Sequence, residues 1–421
     1  MKNSALRVEA TMFVVVFSGL VYLPVVGIGY AGAPNVSAQA ALIAFAGVAA
    51  LPAVAYLVKE RFFPPTPVVL LIVSSLWLSL SALVGPDPFS GLLRGGWFAC
   101  VALAMWHGVC IAGVTNVLRS AAFALALFIL LGIFLYPVAD VQVDEIQILL
   151  DEAIFPWPRF RGIGANQSVI GLSGCLLVLS LFAIHRRVGV PMSVFLAVVG
   201  LVGIAASHNR SAIGALVAGV VAEAFHATRR WTVVVCAICL FGLGAAALLP
   251  SSVDLLDRGS RTSTEFNYYS SEESDRLTGR LDVWERALRH GMGSPLVGRG
   301  IGSFDQHAKA EFESETISWH PAHAHSVVFE LFADQGVVGL VIFGAAIVSL
   351  IRRRRTWTVG LTALLAAILS HSLVESVFSA SPSARWSILV LVAAAGQDAD
   401  PSETDQARDE YRASVGSEAA P

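Results

Sequence analysis

The chain has 421 residues, 55% of them hydrophobic and only 14% charged, with a mean hydropathy of +0.68. Those values exclude an ordinary soluble domain and describe a polytopic membrane protein, so the informative count is of apolar runs of roughly 17–25 residues. A net charge of −3 gives no bulk attraction for nucleic acid.

In chain order, apolar runs predict spans near 9–28, 38–58, 66–84, 95–115, 120–138, 167–185, 189–207, 210–227, 231–250, 325–351, 357–376 and 383–397. This is an all-α architecture of about twelve transmembrane helices. The first run follows Lys2 and Arg7 and is as long as a full span, so it reads as an uncleaved helix rather than a signal peptide. The run that begins at His325 is too long for one straight crossing and is expected to bend and re-form after Gly336 and Gly339. All five cysteines (Cys100, Cys110, Cys175, Cys236 and Cys239) fall inside apolar runs. Cys236 and Cys239 form a C-x-x-C pair in mid-span, where a thiolate is disfavoured, so no redox role is assigned.

Basic residues near the span ends set the orientation. Lys2, Arg7, Lys59, Arg61, Arg119, Arg186, Arg187, Arg229, Arg230 and Arg352 to Arg355 fall on one side, read as the cytoplasm, with both termini. The other side receives the acidic loop Asp140–Asn166, the turn Ser207–Arg210 and a polar island, Ser251–Pro321. The resulting division is 1–250 for helices 1–9, 251–324 for the outward loop between helices 9 and 10, and 325–397 for helices 10–12. The polar, acidic segment 398–421 reads as a disordered cytoplasmic tail.

The outward island concentrates residues capable of chemistry. Asp275–His290 reads DRLTGRLDVWERALRH, in which Arg276, Arg280 and Trp284 lie four apart on one helix face while Leu277, Leu281 and Leu288 form another. Such a helix can lie on the membrane surface with its arginines at the headgroups. Alternatively, Arg280 can grip a phosphate or diphosphate through its planar donor fork. Ser294–Phe304 reads SPLVGRGIGSF without a surrounding strand–helix unit, so it is taken as a turn leading back to the membrane rather than a dinucleotide loop.

His320, His323 and His325 then fall within six residues. They raise the question of zinc, but His-x-His supplies two ligands and no nearby Cys or carboxylate has ligand spacing, so no metal is assigned. A histidine at the head of a span can serve as a general base or be merely tolerated at the interface. Arg210, in SHNRSAIGAL, opens a span where helix N-terminal amides favour an anion, or anchors that span at the interface. Asn166, in GIGANQS, is placed to cap another span. His371 and Glu375 lie four apart near the outward end of the eleventh run, as a functional or a structural pair.

The sequence TGRLDVWERAL…SPLVGRGIGSF…HAHSVVFELFADQGVVGL resembles the signature of the O-antigen ligase/polymerase superfamily. That signature runs G-R-x-x-x-W, then P-x-x-G-x-G-x-x-F, then His-Asn followed by an apolar stretch and x-E-x-G-x-x-G. The likeness extends from about Asn166 to Leu340. Ser326 stands where the family often has Asn, and Asp334–Gln335 replaces the more usual acidic pair.

The resemblance implies a GT-C-like glycosyltransferase of the bacterial inner membrane, independent of metal and needing no cofactor. Its active site would lie on the periplasmic face. Its donor would be an undecaprenyl-diphosphate-linked glycan, and its acceptor lipid A–core or a growing glycan. Position by position, Arg210, Arg280 and Arg276 would hold the donor diphosphate. His325 would be the base, with His323 as the fallback, and Trp284 and Asn166 would support the site. Ligase is preferred to polymerase on length and on the single dominant loop, and a protein O-glycosyltransferase usually carries a longer chain. A transporter or flippase would instead show charged or broken helices near the midplane and repeat symmetry.

Overall fold

The computed structural model describes residues 10–16, 36–60, 63–135, 167–207, 209–226, 280–314, 323–353, 357, 360–375 and 382–395. Asn166, Arg276, His320, the loop 140–166, the run at 231–250, residues 251–279 of the polar island and the tail 398–421 lie outside the described residues.

Among the described residues, all regular structure is helical. The helices are α1 (Val36–Glu60), α2 (Thr66–Ser81, continued by a 3-10 turn, Ala82–Val84), α3 (Pro88–Ala112), α4 (Val114–Leu135), α5 (Gln167–Val188) and α6 (Val190–Ser207). They continue with α7 (Arg210–His226), α8 (Arg280–Met292), α9 (Ser303–Glu313), α10 (Val327–Arg352), α11 (Leu361–Val374) and α12 (Pro382–Ala394).

Six stretches are long and apolar enough to cross a membrane, and they lie in α2 with its 3-10 turn, α3, α4, α5, α6 and α10. Four of the other expected spans appear as shorter apolar helices, Ala44–Val58, Ser211–Phe225, Leu361–Val374 and Arg385–Ala394. With 14 and 13 residues, α11 and α12 rise only about 20 Å, short of a ~30 Å hydrocarbon core. The expected boundaries shift for a simple reason. Helix α3 starts ahead of position 95 because its backbone ladder runs through Arg94, which interrupts the apolar run but not the helix. Gly113 (φ 77) and Gly189 (φ 78) then divide α3 from α4 and α5 from α6 with one left-handed residue each.

Small residues allow close helix contact. Gly174 of α5 and Gly200 of α6 meet so closely that a Cβ on Gly174 would collide with the Gly200 carbonyl. The common core holds Phe98, Trp106, Phe128 and Trp386, all fully buried, and the Trp386 indole donates to the Phe98 carbonyl at 2.8 Å.

The ends of the bundle are sorted. Ala10 and Phe13, Arg119, Ser120 and Phe123, and Arg187, Val188 and Met192 together line one open cavity of about 460 Å³. Gly360, ahead of α11, lies against Phe182 and Ala183 of α5, and Glu223 of α7 accepts from the Ala363 amide at 3.3 Å, capping α11. Two of the basic span-end residues, Arg119 and Arg187, meet at the cavity. From Gly360, α11 runs to the other end, where its last turn meets the histidines and Arg280.

Candidate functional site

The site is built on a broken helix. Within α10, Gly336 has φ 66 and ψ −166, so the expected bend falls at that glycine. A break leaves carbonyls before it and amides after it without helical partners. The segment 293–302 supplies them. Arg299 and Gly300 amides donate to the Ala333 and Asp334 carbonyls, both at 3.0 Å, and Val337 and Val338 amides donate to Pro295 (2.8 Å) and Leu296 (3.2 Å). From α2, the Trp77 indole donates to the Gln335 carbonyl at 3.1 Å.

Two glycines make this approach feasible. Gly298 (φ 75) and Gly336 (φ 66) both need the left-handed region, and a Cβ on either would collide with the opposing backbone. The SPLVGRGIGSF segment is thus a strap of turns stitched to α10, a pairing that the sequence did not show.

The strap follows α8, whose packing fixes one wall of the site. Val283, Ala287, Phe304, Ala324 and Ala333 form a small core between α8, α9 and α10. Trp284 stacks on Phe329 with centroids 5.2 Å apart, and its indole nitrogen has no partner among the described residues. Arg286 donates to Glu311 at 2.8 Å and ties α8 to α9. Leu281 and Leu288, each 44% exposed, lie on the opposite face, as the amphipathic pattern anticipates.

At the other wall, α11 ends at Val374 and Glu375 leaves the helical path with φ −147 and ψ 145. Its carboxylate is 5% exposed and gathers three side chains. Oε2 lies 3.4 Å from His325 Nδ1 and 3.5 Å from His323 Nε2, and Oε1 lies 3.4 Å from Arg280 Nη2. Arg280 Nη1 also donates to the Val374 carbonyl at 2.9 Å. The histidine rings are tilted by 44° with centroids 3.9 Å apart, and His325 sits at φ 48, a conformation rare for a side chain of its size.

One turn back on α11, His371 Nε2 lies 3.1 Å from Ser211 Oγ of α7. Ser211 donates to Asn209 Oδ1 at 2.5 Å, and the same oxygen accepts from the Ala212 amide at 3.0 Å, capping α7. With the hydroxyl proton committed to Asn209, His371 Nε2 is the donor to Ser211.

A second histidine pair lies behind the strap. His290 Nε2 is 3.1 Å from Ser303 Oγ, and its ring stacks on His307 at 4.7 Å. Burial, followed by the neighbouring His307 and Arg299 charges, pushes the His290 imidazole down to about 4.

Of the residues singled out from sequence, His323, His325 and Arg280 come together. Arg210 is the first residue of α7, between Asn209 and Ser211, and its side chain lies outside the described residues. Trp284 is a packing residue between α8 and α10. Arg276 and Asn166 lie outside the described residues.

The sequence reading missed the hub role of Glu375 and several buried ionisable residues. Glu330 (7% exposed), Asp334 (4%) and Arg385 (1%) lie within apolar runs, and Arg385 is attracted to Glu330 and Glu375. Ionisable residues inside apolar runs were the available signal.

Residues 195–344 match the family model described as O-antigen ligase. The match takes in the whole of α7, α8 and α9, the strap, His323, His325 and much of α10, whereas Glu375 lies beyond it. No curated protein matches the chain. Over the matched stretch, whose three short motifs the strap and α10 join in one site, the chain is similar to the O-antigen ligase/polymerase superfamily, and the match supports that resemblance.

Proposed function

We propose that the protein transfers a glycan from undecaprenyl diphosphate to an acceptor hydroxyl on the periplasmic face of the bacterial inner membrane, as an O-antigen ligase acting on lipid A–core. The observation that carries this reading is the shared carboxylate: a candidate base and a candidate phosphate-binding cation both touch Glu375. With its Nδ1 proton directed at Glu375, His325 presents the Nε2 lone pair to an acceptor. That nitrogen takes the hydroxyl proton as the acceptor oxygen bonds to the anomeric carbon. The bond from that carbon to the carrier phosphate breaks, and its electron pair leaves on the diphosphate.

Arg280 supports the leaving group. Two of its five N–H donors are used by Glu375 and Val374, which leaves three for phosphate oxygens as negative charge develops. Arg210 and Arg276 complete the proposed anion site, His323 is the alternative base, and Trp284 and Asn166 shape its walls. The cations are protein side chains and the sugar arrives activated, so the reaction proceeds without metal or nucleotide. Both termini are cytoplasmic, and 251–324 forms the periplasmic catalytic loop between the ninth and tenth of about twelve spans.

A broken α10 with buried Glu330, Asp334 and Arg385 is also what a transporter would show, although here the strap fills the break. The decisive assay is transfer from a purified lipid-diphosphate glycan in EDTA, with lipid A–core or no added acceptor. Labelled lipid A–core that is lost in Arg280→Ala and His325→Ala establishes the ligase. Longer lipid-linked glycan without acceptor assigns a polymerase, and no product from well-folded protein sinks the transferase reading.

A further inference from the structure

His323, His325 and Glu375 have a second property that follows from their spacing. One donor atom from each lies within 4.8 Å of the others. A tetrahedral zinc ion with bonds of about 2.0–2.1 Å holds its ligand atoms roughly 3.3 Å apart. Glu375 Oε2 is already 3.4 Å from His325 Nδ1 and 3.5 Å from His323 Nε2. The remaining edge, between the two tilted rings, closes by side-chain rotation. Two imidazoles and one carboxylate suit a borderline ion such as Zn²⁺, whereas Ca²⁺ and Mg²⁺ require shells of oxygen. The sequence reading assigned no metal because no carboxylate had ligand spacing; tertiary structure brings one in from 50 residues away.

We propose that this cluster captures a single Zn²⁺ ion, and that the bound ion inhibits glycan transfer. Capture rests on the cluster alone, whereas inhibition rests also on the function proposed above. Arg280 holds Oε1 and leaves Oε2 to the ion, so the carboxylate is already oriented as an outer partner would orient it. Three protein ligands leave a fourth position for water.

Inhibition follows from the proton count on His325. Zinc at Nδ1 displaces the proton held there, and the neutral ring then carries its one proton on Nε2. The lone pair that would accept the acceptor hydroxyl proton is gone. Zinc at the same time withdraws Glu375 Oε2 from its contact with the ring.

The test uses the full chain, purified in detergent with a histidine-free tag and stripped with EDTA that is then removed. Zn²⁺ uptake is measured by equilibrium dialysis, and Co²⁺ absorption reports tetrahedral coordination. One ion per chain is expected, with affinity weakened at least about tenfold in His323→Gln and in His325→Gln and unchanged in His290→Gln. Glu375→Gln, close in shape to the native residue, gives a third reading if a histidine variant fails to fold. No saturable single site, or binding unchanged in the histidine variants, overturns the proposal.

In the transfer assay, Zn²⁺ should abolish product and EDTA should restore it. An ion bound at one per chain with transfer unaffected overturns the inhibition. If metal-free protein is inactive with every acceptor while zinc still binds, the site stands and the inhibition falls with the functional reading.

Discussion

The protein carries two histidine pairs of similar make-up in very different settings. His290 stacks on His307, and His307 lies 3.5 Å from Glu311; His323 packs against His325, and both lie beside Glu375. In the first pair, the buried ring meets a serine hydroxyl and faces Arg299 and His307, so nothing offsets its desolvation and it stays neutral. In the second, a buried carboxylate lies within reach of both rings, and under the proposed function the opposite nitrogen of His325 faces the acceptor. The Glu311 carboxylate, by contrast, is shared with Arg286 at the surface of α9 and does not reach His290. What separates the structural histidine from the proposed catalytic one is the partner on the far side of the ring.

The largest expected break in this comparison is kinetic. His325→Ala should slow glycan transfer by about 10²–10⁴-fold, while His290→Ala leaves the rate per folded molecule unchanged. Equal losses in single-turnover assays would remove the distinction. The next effect is on stability and runs with pH. His290 sits at about 4 against an ordinary value of 6.5, so its neutral form favours the folded state. That stability is fully present above about 6.5 and is lost as pH falls toward 4, by up to about 3 kcal/mol. Hydrogen exchange of α8 and α9 amides, corrected for intrinsic rates, should accelerate across that window, and His290→Gln should flatten the trend.

Gly298→Ala tests what the two pairs have in common. The strap joins the His290–Ser303 contact to the break in α10 that follows His325, and a Cβ at Gly298 strikes the Asp334 carbonyl. A loss of about 1–3 kcal/mol is expected, read as a lower thermal midpoint and as weakened protection in both α8 and the start of α10. Protection lost in only one of them would mean that the strap does not couple the pairs. The smallest effect is a surface control: Glu285→Ala, which breaks the exposed pair with Arg289, should cost about 0.3–0.5 kcal/mol and leave transfer intact.

Much of the frame was legible in the sequence. Apolar runs located ten of the described helical segments, Gly336 marked the break in α10, and the order of short motifs pointed to the superfamily. His323, His325 and Arg280 were chosen from residue type and position, and the structure brings them together. Boundaries were misplaced where a helix runs through a charged residue such as Arg94, because hydropathy registers the charge and the backbone ladder does not. The pairing of the strap with α10 was not legible, because glycines look alike whether they turn in solvent or lie against another backbone.

The sequence by itself determined the class of molecule, since periodicity, span length and local motifs are properties of neighbouring residues. It also determined which residues had the chemistry to matter. Only the tertiary structure decided which of them meet. Glu375, four residues after His371 in sequence, turns away at the end of α11 to serve His323, His325 and Arg280, while His371 turns to Ser211. The reason is physical: these contacts join segments 50 to 160 residues apart, and only helix packing and a strapped break in α10 bring them within hydrogen-bond reach.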